Sequence, residues 1–291
     1  TSMPHHPHGL RHDLPRLVPQ RAERRTALRW LGAGAIASAA PLALMACGGG
    51  DILDELDADA DTSTTATGSD GSSCTTIPTE TAGPYPADGS LASSQRLNAL
   101  ALSGIVRRDI RTSVGGASGT ALGVPLTVTL TLVNSASSCA RLAGYAVYLW
   151  HCTRDGGYSL YSGGVTAENY LRGVQVSDAN GQVTFTTVFP GCYSGRWPHI
   201  HFELYPSLDA ATDSSAVSDY AKVSQLALPA AACQQVYGVA AGYGASVANF
   251  AAISLASDNV FGNDSAALQL ATVTGNATDG FVASLQVGVS V

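Results

Sequence analysis

The sequence predicts an all-β fold, an antiparallel β-sandwich with few short helices. From residue 74 onward, short runs of β-branched and apolar residues are separated by Gly, Asn and Pro, which is typical of stacked sheets rather than of helical or alternating βα architectures. Helical periodicity is weak and is confined to 230–236 and 244–255. The region shows neither an internal repeat nor a second folded unit, so we expect one domain over residues 74–291.

Seven segments carry the strand pattern. The clearest is PLTVTLTLV, where Leu126 and every second residue to Leu132 should face the core while threonines face the other way. Asn180-Gly181 predicts a two-residue hairpin turn between GVQVSD and QVTFTTV. The predicted strands lie within 102–110, 125–133, 144–152, 181–189, 199–206, 221–229 and 280–289.

An export signal is predicted for residues 1–46. A basic region with Arg24-Arg25 precedes an apolar run of about sixteen residues, shorter than the ~20 residues that a membrane-spanning helix needs. The run ends in Leu-Met-Ala before Cys47, a pattern that resembles a bacterial lipobox. The interpretation is a twin-arginine signal peptide with lipidation at Cys47, and an ordinary secretory signal is the alternative. The expected location is periplasmic or at the cell surface, with the lipid as the only membrane attachment.

Residues 47–73 are predicted to form a flexible acidic linker. They are rich in Asp, Ser, Thr and Gly and contain no aromatic residue, so they cannot bury enough apolar surface to offset their ordering entropy. Residues 1–46 hold six of the chain's 15 basic residues and two of its 22 acidic ones, which leaves nine against twenty in the rest. This acidic balance without a basic patch argues against a nucleic-acid partner.

Five cysteines lie in the predicted domain. Outside the cytoplasm they are expected to pair, and the odd number fits two disulfides with one free thiol. The sequence leaves the pairing open. The five are Cys74, Cys139, Cys152, Cys192 and Cys233.

The segment PGCYSGRWPHIHFELY contains the most concentrated ligand chemistry of the chain. His199 and His201 stand two apart, so in a strand both point to one face and can reach a single metal ion. Such pairs serve copper, zinc, manganese and iron sites alike, and two hydrogen-bonded structural histidines are the alternative.

Tyrosines rather than carboxylates surround this pair. Tyr193 lies in the preceding loop, Tyr158 and Tyr161 lie in an earlier glycine-rich loop, and the one nearby carboxylate is Glu203. A phenol has a pKa near ~10, so it needs a highly charged cation to ionise it at neutral pH. Fe(III) meets that need better than Zn(II) or Mg(II).

Taken together, these residues resemble the intradiol ring-cleavage dioxygenases, the family of the catechol and protocatechuate dioxygenases. The resemblance spans residues 79–229. It rests on the order of four segments, which are TAGPYP, GYAVYLWHCTRDGGYSLYS, NYLRGVQVSDANGQVTFTTVFPGCYSGRWPHIHF and VSQLALP.

The resemblance implies a non-haem Fe(III) enzyme that cleaves a catechol-type ring between its two hydroxylated carbons with O2 and yields a muconate-type diacid. The catechol is expected to displace Tyr193 from the metal. Arg196 is expected to face the substrate, with Gln225 behind the ligands, and Tyr85 either lines the substrate mouth or packs a turn. The implied metal ligands are Tyr158, Tyr193, His199 and His201.

Several alternatives stay open at this level. Tyr161 or Tyr170 competes with Tyr158 as the first tyrosine ligand. His151 follows Trp150 and is expected to be a hydrogen-bonded core histidine, while Arg172 is expected to bind loops or an acidic partner.

The sequence also departs from the known enzymes. The N-terminal helical segment with which catechol dioxygenases dimerise is replaced by a signal and a linker, and no second chain of the protocatechuate type is implied. Cysteines stand beside both ligand loops, and a C-terminal extension follows Pro229. The substrate and the oligomeric state are therefore left open.

Two functions from different classes fit these features. The first is the exported dioxygenase, and the second is a non-catalytic β-sandwich lipoprotein that binds a metal or an aromatic ligand without turnover. A copper site of the superoxide dismutase kind lacks the additional histidines that it would need.

Overall fold

The computed structural model describes residues 64–68, 73–213 and 220–291. The predicted signal peptide at 1–46, the lipidation site Cys47 and most of the predicted linker lie outside these residues. None of the described helices has the length and hydrophobicity needed to cross a bilayer.

Two main sheets form the sandwich. The first is four-stranded and fully antiparallel, in the order β6-β5-β8-β9. Its strands are β5 (Ala146–Trp150), β6 (Arg172–Val176), β8 (His199–Tyr205) and β9 (Lys222–Ala227).

The second sheet has the order β10-β11-β3-β4, and β7 also pairs with β3. One neighbouring pair, β3 with β11, runs parallel, which the predicted antiparallel sandwich did not include. Its strands are β3 (Pro125–Asn134), β4 (Ala140–Arg141), β7 (Gln182–Val188), β10 (Thr272–Asn276) and β11 (Gly280–Val289).

Short helices complete the described chain. They are α1 (Leu208–Thr212), α2 (Ala230–Val239) and α3 (Gly244–Ala251), with single 3-10 turns at Ser94–Arg96, Leu255–Ser257 and Phe261–Asn263. The predicted fold class, mostly β-sheet with few short helices, is confirmed.

The main core lies between the two sheets. Leu126, Val128, Leu130 and Leu132 of β3 are buried as their alternation predicted, and they join one hydrophobic cluster with residues from the other sheet, including Phe202 of β8. Burial of such side chains contributes roughly 1.5–3 kcal/mol each. The opposite face of the four-stranded sheet carries a second cluster with Tyr148 and Trp150, and the loop through 82–105 covers it. The histidines of β8 point to this second side.

Two predicted features of the chain path are wrong. Segment 102–110 is not a strand, because it crosses between the sheets and makes only isolated bridges, Val106 to Val174 and Asp109 to Thr186. The Asn180-Gly181 turn is present, but β6 and β7 on its two sides belong to different sheets. Gly181 has φ +70° and sits against the Leu132 carbonyl, where a Cβ would collide.

The N-terminal boundary also differs from the prediction. Thr65–Thr67 of the predicted linker forms strand β1, which pairs with β2 (Ser73–Thr75). A disulfide between Cys74 and Cys139 ties this small sheet to the domain.

The predicted second disulfide is absent among the described residues. Cys152, Cys192 and Cys233 are free and buried. The Cys152 thiol donates to the Gly191 carbonyl and the Cys192 thiol to the Arg196 carbonyl, so the two thiols are directed to different partners. Burial raises the pKa of both to about 12, which keeps them protonated and unreactive.

Candidate metal centre

Strand β8 presents two buried imidazoles on one face. His199 and His201 have their Nε2 atoms 3.1 Å apart. His199 Nδ1 donates to the Trp197 carbonyl, so its Nε2 carries a lone pair that points into the cluster. His201 is stacked on Trp150 at 4.9 Å, and its buried Nδ1 has no hydrogen-bond partner. A shared cation would accept a lone pair from both Nε2 atoms when His201 carries its proton on Nδ1.

Two phenols reach the same point from different loops. Tyr193 Oη lies 3.2 Å from His199 Nε2. The Tyr158 ring packs edge-on at 5.9 Å from the Tyr193 ring and 6.3 Å from the His201 ring. Tyr158 Oη is buried without a hydrogen-bond partner of normal geometry. A buried hydroxyl without a partner costs free energy, so this atom fits the role of a cation ligand.

Glycine lets these loops meet. Gly156, two residues before Tyr158, has φ +87°, and a Cβ there would lie 3.1 Å from Tyr193 Cβ. The Tyr158 amide is held by the Ser162 hydroxyl at 2.9 Å. Close packing therefore requires the first glycine of the GGYS motif, because a larger residue at position 156 would push the two tyrosine loops apart.

Without a cation, burial keeps all four side chains neutral. Burial raises the pKa of Tyr158 well above its usual value of 10 and raises that of Tyr193 to about 12. Burial also lowers the pKa of His199 and His201 well below 6.5, with Arg196 adding to the effect on both. The cluster thus offers two imidazole nitrogens and two phenols that only a strong Lewis acid would ionise.

This donor set fits ferric iron. Two imidazole nitrogens and two phenol oxygens converge in a buried site, and one of these oxygens, Tyr158 Oη, lacks a hydrogen bond. Across the described ranges, no group of three or more His, Cys, Asp or Glu side chains is arranged to hold a metal ion. A metal in this region would therefore depend on the tyrosines.

Arg196 lies beside the histidines in a network of defined contacts. Its Nε donates to Asp258 Oδ2 at 2.9 Å and its Nη2 to Gln225 Oε1 at 2.6 Å. Its Nη1 lies 3.5 Å from His199 Nε2. Gln225 in turn donates from Nε2 to the Thr81 carbonyl at 2.8 Å. The predicted pair Arg196 and Gln225 is thus in contact next to the cluster, and Gln225 also anchors the overlying loop.

Sequence reasoning missed Asp258. It lies in the extension after Pro229, 62 residues from Arg196, and its side chain is fully buried. A partner so distant along the chain leaves no local motif. Asp258 follows the 3-10 turn Leu255–Ser257, which Ser254 caps, and this local pattern does not indicate an arginine partner.

The loop of the TAGPYP motif covers the cluster. Gly83 has φ +71°, and a Cβ there would stand 3.6 Å from His201 Cε1. The Tyr85 ring lies 5.1 Å from the rings of both Tyr158 and Tyr161. Arg172 donates to the Tyr85 carbonyl, which confirms its predicted loop-binding role. Tyr85 is therefore next to the site, and both of its predicted roles remain compatible with its position.

The two alternative tyrosine ligands, Tyr161 and Tyr170, contact other residues. Tyr161 Oη accepts from the Ala87 amide at 3.0 Å and shares a hydrogen bond with Ser93. Tyr170 packs in a separate cluster with Leu171 and Val188. Neither reaches the histidines.

Two further polar side chains near the site, His151 and Glu203, are hydrogen-bonded to residues outside the cluster. His151 bonds the Cys152 carbonyl and the Thr187 hydroxyl, as expected of a core histidine, and burial lowers its pKa to about 4. Glu203 accepts from Tyr205 Oη at 2.8 Å, and burial raises its pKa well above the usual value. Neither side chain bonds to the cluster.

A cavity of about 310 Å³ lies elsewhere on the molecule. Its lining includes the ion pair of Asp109 and Arg111, with Leu122 and Pro125. It contains none of the cluster residues, so it does not bear on the metal centre.

Comparison with known proteins agrees with the resemblance seen in the sequence. Residues 107–207 match the family model described as Dioxygenase. The intradiol ring-cleavage dioxygenase from Tetranychus urticae is 23% identical and has a TM-score of 0.55, with 75% of this chain and 95% of that chain covered. A second crystal structure of a dioxygenase is 22% identical with a TM-score of 0.56 and the same coverage. A search of curated protein sequences gives no match.

At these identities the solved structures show a shared fold alone. The family-model match covers residues 107–207. That segment contains five of the six predicted iron-site residues, and Gln225 lies beyond it. The described chain thus has the fold of the intradiol ring-cleavage dioxygenases, and its residues 107–207 match the dioxygenase family model.

Proposed function

We propose that this protein is a non-haem Fe(III) dioxygenase that cleaves a catechol-type ring between its two hydroxylated carbons. Both atoms of O2 enter the product, one in each new carboxyl group of a muconate-type diacid. The observation that carries the proposal is the convergence of His199, His201, Tyr193 and the unpartnered Tyr158 Oη in one buried cluster.

The four cluster residues would hold the iron. Bound there, Fe(III) would supply the Lewis acidity that ionises a catechol and makes its ring reactive toward O2. Tyr193 differs from Tyr158 because it is less deeply enclosed, on a loop whose next residues, Ser194 and Gly195, are exposed. Tyr193 Oη is therefore the group that we expect to give way to the substrate and to take one hydroxyl proton from it.

Arg196 would act on the substrate ring rather than on the metal. Its Nε and Nη2 are bonded to protein acceptors, whereas Nη1 is directed toward the cluster. A fixed cation at that place would stabilise negative charge as it develops on the ring, and loss of such a donor costs about 10²-fold or more in turnover. Gln225 would hold Arg196 in position and fix the loop at Thr81 next to it.

Iron loading followed by oxygen uptake tests the proposal. Wild-type protein reconstituted with iron should consume O2 with a catechol, and mass spectrometry after ¹⁸O2 should find one label in each carboxyl group. His199→Ala should lose stoichiometric iron because one of the donors is gone. Tyr170→Phe is the matched control, since that phenol lies outside the cluster.

The alternative function, a binding module, has its own signature. It would bind iron and change its spectrum with catechols, yet it would consume no O2 with any of them. That outcome would contradict the enzyme proposal. The intact Arg196 network favours the enzyme, since holding a metal does not require it.

We further propose that the protein is exported and lipid-anchored through Cys47. The support is the order of basic region, apolar run and lipobox-like residues before that cysteine. Cys47→Ser should move the protein from the membrane fraction to the soluble fraction. A variant that stays in the membrane fraction would contradict the lipid anchor.

A further inference from the structure

We propose that Asp258 is the positioning residue of Arg196, and that the extension after Pro229 therefore builds part of the active site. The inference rests on the proposed function, because it assigns to Arg196 a role toward the substrate. It goes beyond that function by adding a residue from a part of the chain that the family-model match does not include.

The hydrogen bonds of Arg196 divide its guanidinium into a held side and a directed side. Asp258 takes Nε and Gln225 takes Nη2, so two of the three nitrogens are fixed. Because the guanidinium is planar and rigid, these two contacts also fix the position of Nη1 beside His199. When the Nε contact is removed, the hydrogen bond from Nη2 to Gln225 remains. The guanidinium can then rotate about that bond, which moves Nη1.

Asp258 is itself held more firmly than a surface carboxylate. Its Oδ2 accepts from the Trp197 amide at 2.6 Å, and its Oδ1 accepts from the amides of Val260 and Phe261 at 2.8 and 3.0 Å. Three backbone donors and full burial leave the carboxylate a single orientation. It can therefore transmit the geometry of the extension to Arg196.

The same extension also contacts the arginine through an aromatic face. The Arg196 Cζ lies 5.7 Å from the centroid of the Phe261 ring, and the His199 ring lies 6.4 Å from that ring. Phe261 is fully buried. Asp258 and Phe261 thus fix the guanidinium by its edge and by its face.

The backbone next to Arg196 does not provide this order on its own. Ser194 and Gly195 are exposed, and Gly195 has φ +85° with no atom within reach of a Cβ. An arginine side chain loses much rotamer freedom when it is fixed. The contacts from the extension, together with the hydrogen bond to Gln225, offset that loss.

Asp258→Asn is the sharpest substitution. The amide keeps an oxygen for the amides of Val260 and Phe261, but its NH2 group faces the donors of Arg196 and Trp197, so the Nε contact is lost. Misplacement of a catalytic group by about 1 Å costs up to 10²-fold. We expect kcat to fall roughly 10- to 100-fold, with KM changed much less. Asp264→Asn, an equal charge change in the same extension, should leave kcat unchanged.

A double-mutant cycle separates positioning from a general structural role. In the Arg196→Ala background, Asp258→Asn should reduce kcat no further, because the group on which it acts is absent. Equal fold-losses in both backgrounds would overturn the inference, as would an Asp258→Asn single variant with wild-type kcat.

A measurement on metal-free protein makes the inference independent of turnover. In ¹H–¹⁵N spectra the Arg196 Hε should exchange slowly with water in the wild type and in Asp264→Asn, and rapidly in Asp258→Asn. The exposed Arg108 provides the rapid reference within the same molecule. A wild-type Arg196 Hε that exchanges as fast as that of Arg108 would overturn the inference even if the variants fail to fold. Slow exchange in the wild type together with no turnover of any catechol would contradict the proposed function and leave the Asp258 contact established.

Discussion

Replacement of Arg172 by methionine should destabilise the domain, because this residue joins the covering loop to the Tyr158 loop. Arg172 is 1% exposed. Its guanidinium donates to the carbonyls of Tyr85, Pro86 and Ser159 at 3.0, 2.8 and 3.1 Å. It also bonds the Ser159 hydroxyl at 3.1 Å and Tyr148 Oη at 3.2 Å.

The magnitude follows from which acceptors are left without a donor. Pro86 keeps its bond from Tyr148 Oη, whereas the buried Ser159 carbonyl loses its guanidinium donor. An unsatisfied buried acceptor costs about 1–3 kcal/mol, and the loss of each of the other guanidinium hydrogen bonds adds about 0.5–1.5 kcal/mol. Removal of the buried cation returns part of this, since desolvation no longer has to be overcome and methionine fills much of the volume. We expect a net loss of about 3 kcal/mol in the free energy of unfolding.

Urea unfolding of metal-free protein measures this loss directly. Arg108→Met is the matched control, because it makes the same substitution at an exposed arginine. The control should stay within about 0.5 kcal/mol of the wild type. If Arg172→Met unfolds at the same urea midpoint as Arg108→Met, the argument that Arg172 holds the loops is refuted.

Three further predictions concern the metal ligands, the pH dependence and the disulfide. Tyr158→Phe should lose most iron colour and activity, whereas Tyr193→Phe should keep iron and still bind catechol; identical behaviour in iron and catechol titrations would contradict the displacement model. Burial raises the pKa of Glu80 from 4.5 to about 7. Between these two pH values the unfolded carboxyl has lost its proton while the folded one keeps it, so the stability of the fold decreases as the pH rises from 4.5 to 7. Glu80→Gln should reduce the decrease of the urea midpoint between pH 4.5 and 7, and Asp279→Asn is the control. A variant whose midpoint depends on pH as strongly as that of the wild type would contradict the role of Glu80. Cys74→Ser/Cys139→Ser should lose up to about 4 kcal/mol, from the 65-residue separation of the two cysteines, and a reductant should no longer change its stability; an unchanged unfolding midpoint in the variant would contradict this.

The fold class and the centre of the site were predictable because they depend on short-range periodicity. Alternation in β3 identified its buried face, and the two-residue spacing of His199 and His201 placed both imidazoles on one face of β8. The strand at Thr272–Asn276 was missed because Val273 is the one apolar residue in its sequence, and it is a strand through its pairing with β11.

The unpredicted parts depend on contacts between distant segments. Cys152 and Cys192 stand beside the two ligand loops, yet their thiols bond to different carbonyls and do not pair. Segment 102–110 has strand composition, but it links the edges of two sheets instead of joining one. Asp258 meets Arg196 only because the extension folds back over β8, which no local pattern in the sequence indicates.

The visible absorption spectrum of the iron-loaded protein tests the central claim most directly. Phenolate bound to Fe(III) gives a strong ligand-to-metal charge-transfer band, so the wild type should be coloured and Tyr170→Phe should match it. Tyr158→Phe should lose most of the band, and a catechol should shift the band of the wild type. A colourless protein that contains stoichiometric iron would contradict the assignment of Tyr158 and Tyr193 as ligands, and with it the proposed dioxygenase.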